Sequence, residues 1–125
     1  MRGLHKNINQ YTKSGSAPIK SAAKGENTIG IVFMHDAVKQ AVSGLPIKVV
    51  APCEGTGYEI GSMSIINGAR NMESAKKFYD WALSADAQSL ALQVKAFQVP
   101  SNTGSATSPS APDLSTIKLI DYDFK

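Results

Sequence analysis

The 125-residue chain has the length of one domain, and 42% apolar with 18% charged residues is an ordinary globular composition rather than a disordered one. Thirteen Lys and Arg against ten Asp and Glu leave a net charge of +3, too small and too scattered for a nucleic-acid arm or a polybasic membrane patch. One cysteine, Cys53, excludes a disulfide scaffold, and with only His5 and His35 beside it no zinc spacing exists. Cys53 reads as a small buried or half-buried residue, because nothing near it in sequence would hold a thiolate. No apolar run approaches the ~18–20 residues of a membrane span, and no basic-then-apolar leader opens the chain.

In chain order, Met1–Gln10 reads as the tail of a helix with little apolar surface. A polar loop leads to Pro18, whose fixed φ suits a first helical turn, and the short helix Ile19–Lys24 is closed by Gly25. Asn27–Met34 is a β-branched apolar run, the pattern of a buried strand. Ala37, Val38, Ala41 and Val42 recur at helical spacing before Gly44 and Pro46, and Ile47–Ala51 is a further short strand. Helix, strand, helix, strand is the alternation of an α/β layer structure. After the turn-rich stretch Pro52–Gly57, Tyr58–Ile66 reads as a strand with a close-packed Gly61. Asn71 caps a helix Met72–Leu83, and Ser84 caps a second of about ten residues, Ala85–Val94. Residues 101–113 (SNTGSATSPSAPD) form a non-periodic surface loop or linker, after which Leu114 to Phe124 dock as an amphipathic helix or an extended segment.

Four places carry chemistry. Ser14-Gly15-Ser16 ahead of Pro18 offers backbone N–H groups and hydroxyls to an anion or hydroxyl, or else simply starts a helix. His35-Asp36 ends a strand at the edge where open α/β sheets bind ligands, or else Asp36 caps a helix beside a solvated His35. In Glu54–Glu59 two glycines allow a sharp bend, Tyr58 offers an aromatic face and Glu59 a carboxylate for hydroxyls or a cation. Gly55 and Gly57 do not continue into a dinucleotide fingerprint, since Ile60 stands where the third glycine belongs. Phe78, Tyr79 and Trp81 read as core or interface residues. No activated nucleophile, metal cluster or cofactor motif emerges.

Residues 11–37 (YTKSGSAPIKSAAKGENTIGIVFMHDA), 49–88 (VVAPCEGTGYEIGSMSIINGARNMESAKKFYDWALSADAQ) and 97–102 (FQVPSN) together resemble the carboxyl-terminal part of ABC-transporter periplasmic substrate-binding proteins of the iron(III)-type group, which includes hexose-phosphate and 2-aminoethylphosphonate binders. The resemblance spans roughly residues 4–105 and rests on the order and spacing of all the segments. It implies a type 2 periplasmic-binding-protein-like α/β fold in which two lobes close on a solute around crossing strands. Residues 1–51 are similar to part of the second lobe, 52–66 to a hinge segment, and 67–125 to the helices that complete the first lobe. Most of the first lobe and the leader precede this stretch in the family, so Met1 looks like an internal methionine. A chain holding parts of two lobes is expected to expose strand edges and apolar faces, to be marginal or self-associating, and to grip a solute poorly.

The resemblance also implies a ligand. In hexose-phosphate binders a His-Asp pair and a glutamate of the glycine-rich loop contact sugar hydroxyls, and the matching residues are His35, Asp36 and Glu59. Ser14, Gly15 and Ser16 would donate to the solute's phosphate or another polar group, with Tyr58 and Thr56 alongside, although in that family the phosphate is held mainly by the first lobe. Ferric-ion binders use adjacent tyrosines, and Tyr11, Tyr58, Tyr79 and Tyr122 are isolated, so a phosphorylated sugar or similar anion ranks above iron. The expectation is a non-enzymatic, periplasmic or cell-surface solute-binding component serving an ABC permease, with no nucleic-acid partner. A ferric-ion binder of the same family, a small α/β phosphate-binding domain or enzyme using Ser14–Ser16 and His35-Asp36, and an oligomerising structural chain are the alternatives.

Overall fold

In the computed structural model, which describes residues 2–121, the elements run α1 (Arg2–His5), α2 (Ala17–Ala23), α3 (Met34–Val42), α4 (Met72–Ala82) and α5 (Ala85–Ser89). A 3-10 turn at Leu90–Leu92 continues α5. Pro18 stands in the first turn of α2, and the chain leaves that helix through Gly25 at φ +76, a left-handed conformation that suits a residue without Cβ. Helix α3 begins three residues before the expected Ala37. Phe33, extended at φ −65 and ψ 137, is its N-cap, and its carbonyl accepts from the amides of Asp36 (3.1 Å) and Ala37 (3.3 Å). Asp36 therefore lies inside the first turn, where a carboxylate suits the helix dipole, and does not cap.

Helices α2 and α3 pack together, and Ile19, Ala37 and Val38 are buried there, with Phe97 the fourth buried apolar side chain among the described residues. The run after α2 presses against that helix's start. A Cβ on Gly30 would stand 2.7 Å from the Pro18 carbonyl oxygen, so only glycine fits this approach.

The three expected strands, Asn27–Met34, Ile47–Ala51 and Tyr58–Ile66, form no ladder among the described residues. A strand persists where a neighbour satisfies its N–H and C=O groups, and none of these runs lies beside another at hydrogen-bonding register. The side-chain alternation survives all the same: Ile29 (80% exposed) and Ile31 (69%) face out, while Gly30 and Val32 are half-buried between them. Among the described residues the single bridge is parallel, Thr56 with Leu119. The Thr56 amide donates to the Lys118 carbonyl (3.0 Å) and the Ile120 amide to the Thr56 carbonyl (2.9 Å). The segment after Leu114 thus docks through backbone pairing rather than as a helix, and Phe124 falls outside the described residues. Gly61 is not close-packed: no heavy atom lies within 4 Å of a Cβ built there.

The expected ten-residue helix after Ser84 is shorter, five residues and a 3-10 turn, followed by Lys95 at φ +52. The Ser84 hydroxyl accepts from the Ala87 amide (3.2 Å) and donates to the Trp81 carbonyl (2.6 Å). Residues 101–113 are a loop whose start is clasped to α5. The Gln88 carboxamide accepts from the Asn102 amide (2.9 Å), Asn102 donates to the Leu83 carbonyl (2.8 Å), and Ser89 accepts from the Ala106 amide (2.9 Å). Phe78 and Trp81, centroids 5.5 Å apart, are both exposed and form no part of a core here. Cys53 is exposed as well, because the turn closed by the Gly55 amide on the Pro52 carbonyl (3.1 Å) carries it outward. The accessible surface, 10073 Å², exceeds the about 6,500 Å² of a compact monomer of this mass.

Candidate functional site

Three separate stretches meet around an open cleft of about 600 Å³, lined by Gly15, by Ile31, Val32 and Phe33, and by Gly57, Tyr58 and Glu59. The position of each follows from local structure. Gly15 precedes the Pro-started helix α2. Ile31 to Phe33 run into the N-terminus of α3. Gly57 to Glu59 follow the Thr56 backbone pair with residues 118–120.

Around this lining the polar groups fall into two sets. The Ser14 and Ser16 hydroxyls lie 3.4 Å apart on either side of Gly15, and the Thr12 hydroxyl donates to the Ser14 carbonyl (2.9 Å). Ser16 is the N-cap of α2, yet its side chain makes no capping bond, so the hydroxyl pair is turned to itself rather than spent on the helix. On the facing stretch, the His35 imidazole stacks on the Phe33 ring at 5.5 Å between centroids and 17° between planes. His35 Nε2 is 3.9 Å from Asp36 Oδ1, and both side chains are half-buried. The Phe33 ring reaches back to the first set: a Cβ on Gly15 would lie 3.8 Å from it.

Of the residues singled out in the sequence, Gly15, Tyr58 and Glu59 line the cleft, Ser14 and Ser16 flank it, and His35 and Asp36 adjoin it through Phe33. Thr56, next to the lining Gly57, lines no part of the cleft itself, and its hydroxyl donates to the Gly57 carbonyl (3.3 Å). Glu54 is likewise directed elsewhere. Its own backbone N–H and then the Cys53 thiol, 3.4 Å away, hold its carboxyl below the usual range, which leaves Glu59 as the carboxylate of that loop at the cleft. Ile31, Val32 and Phe33 line the cleft without having been singled out in the sequence. The odd-numbered alternation from Ile29 to Phe33 could have marked Ile31 and Phe33 as sharing a face, and it carries no signal for Val32.

These side chains can exchange hydrogen bonds with hydroxyl groups. Two hydroxyls and an imidazole can donate, two carboxylates can accept from hydroxyls, and aromatic and aliphatic side chains supply the apolar remainder. Among the described residues no group of three or more His, Cys, Asp or Glu side chains is placed to hold a metal ion.

A family model of bacterial extracellular solute-binding proteins matches residues 1–125. The chain belongs to that family. An uncharacterised protein of Haemophilus influenzae is 49% identical over 126 residues, a match covering 100% of this chain and 36% of that protein. Among solved structures, the periplasmic binding protein AfuA of Actinobacillus pleuropneumoniae, with exogenous fructose-6-phosphate bound, superposes with a TM-score of 0.88 at 52% identity, over 97% of this chain and 38% of that one. The periplasmic binding protein P5PA superposes with a TM-score of 0.84 at 37% identity, with the same coverage. The fold is accordingly part of a type 2 periplasmic-binding-protein α/β architecture, and the chain spans little more than a third of the length of these relatives.

Proposed function

We propose that the chain is part of the solute-binding component of an ABC import system and supplies one wall of a site for a small phosphorylated sugar or related organic anion. The observation that carries this reading is the cleft shared by Gly15, Phe33, Tyr58 and Glu59, with His35 and Asp36 beside it, on a trace that follows AfuA with fructose-6-phosphate bound. In this reading residues 1–51 belong to the second lobe, 52–66 to the hinge and 67–125 to the part of the first lobe built from the chain's end. His35, Asp36 and Glu59 take sugar hydroxyls. Ser14 and Ser16 donate, and Tyr58 covers an apolar face. The protein works outside the cytoplasmic membrane, is not an enzyme, and hands its solute to a permease, with binding energy driving lobe closure.

The test grafts this chain into AfuA in place of the region it matches. The chimera should bind fructose-6-phosphate by calorimetry. Glu59→Gln and His35→Ala should each weaken binding about tenfold or more, since a hydrogen bond to a charged group contributes about 1.5–3 kcal/mol. A chimera that melts cooperatively but is shifted by no sugar phosphate, or is shifted by Fe(III) instead, defeats the reading.

A further inference from the structure

Phe33 joins two parts of the cleft that the sequence keeps apart. Its backbone and its ring act on the same neighbour. The carbonyl accepts from the amides of Asp36 and Ala37 and so starts the helix turn on which His35 rides. The ring lies nearly parallel to the imidazole of His35 at 5.5 Å and forms part of the cleft wall. Its other neighbour is Gly15, where an added Cβ would touch the ring at 3.8 Å, so the ring is bracketed between the Ser14–Ser16 turn and the imidazole.

We infer that Phe33 is a positioning residue for solute binding, which fixes the plane of the His35 imidazole so that a ring nitrogen meets the solute's hydroxyl at one angle. The inference rests on the sugar-phosphate reading above, and it adds a residue that touches His35 rather than supplying a polar contact of its own. A half-buried imidazole on a helix's first turn turns about χ2 unless neighbours restrain it, and the stacked Phe33 ring lies against its face while Asp36 Oδ1 stands 3.9 Å from Nε2. Affinity then depends on Phe33 only as long as His35 is present, because a positioning group has nothing to position once its client is removed.

Two measurements test this. In the 125-residue chain itself, Phe33→Leu removes the aromatic ring current, and the His35 ring-proton resonances should move downfield while the helical circular dichroism stays unchanged. Unmoved His35 resonances overturn the inference without any ligand. In the AfuA chimera, Phe33→Ala should weaken fructose-6-phosphate binding about tenfold, Phe33→Tyr should restore it to within about threefold, and Phe33→Ala combined with His35→Ala should be no weaker than His35→Ala alone to within about threefold. Additive losses, or full affinity in Phe33→Ala, overturn the inference and leave the functional reading intact. A parent chimera that binds no sugar phosphate overturns that reading and this inference with it.

Discussion

At position 30 an added Cβ would meet the Pro18 carbonyl oxygen at 2.7 Å and its carbon at 2.9 Å, and both are backbone atoms that cannot swing aside. Gly30→Ala should therefore push the run after α2 off that helix and cost about 1–3 kcal/mol, the usual price of overpacking, read as a lower urea midpoint. Asp113 supplies a second residue-scale prediction. Its carboxylate accepts from the Ser115 hydroxyl (2.7 Å) and then from the Ser115 amide (2.9 Å), and these bonds hold its pKa below the ordinary carboxylate range. A depressed folded-state pKa favours the turn above the ordinary value, and that contribution is lost as pH falls through the depressed one. Carbon-detected NMR titration should place Asp113 below a model aspartate, and Ser115→Ala should bring it back up. At this scale the sequence was legible where chemistry is local. Gly15, Tyr58 and Glu59 line one cleft, Ser14, Ser16 and Thr56 each adjoin a lining glycine, and His35 and Asp36 follow the lining Phe33. The backbone pairing of Thr56 with residues 118–120 was not legible, because it is a long-range fact that no spacing near position 56 announces.

Among the elements, helices were easier to read than strands, for a physical reason. A helix satisfies its own backbone within a few residues, so Pro18, Gly25 and Ser84 were enough to mark α2 and α5. A strand borrows its partner from elsewhere in the chain, and the runs at Asn27–Met34, Ile47–Ala51 and Tyr58–Ile66 carry strand side chains without a ladder among the described residues. The early start of α3 was hidden because Phe33 caps through its carbonyl and extended backbone alone, a role open to any side chain. Two element-scale outcomes follow from the α5 region. Ser84→Ala removes a side-chain cap and should lower stability by about 1 kcal/mol in a denaturation experiment. Gln88→Ala removes the acceptor of the Asn102 amide, so hydrogen exchange at Asn102 should quicken while exchange within α2 stays as it was.

The molecule as a whole leaves much of its chain open to water. An unfolded chain of this mass exposes about 19,300 Å², and the 10073 Å² retained by the structure is roughly half of that. Because the denaturant slope follows the surface newly exposed on unfolding, it should come out about a quarter to a third below that of a compact domain of the same mass. A slope at the compact value would contradict the open arrangement. The exposed aromatic pair on α4 adds a practical consequence. Trp81 is the chain's one tryptophan, and it stands half in water beside Phe78. Its fluorescence is thus a label already in place, emitting at the long wavelengths of a hydrated indole and turning bluer whenever another surface settles over that helix.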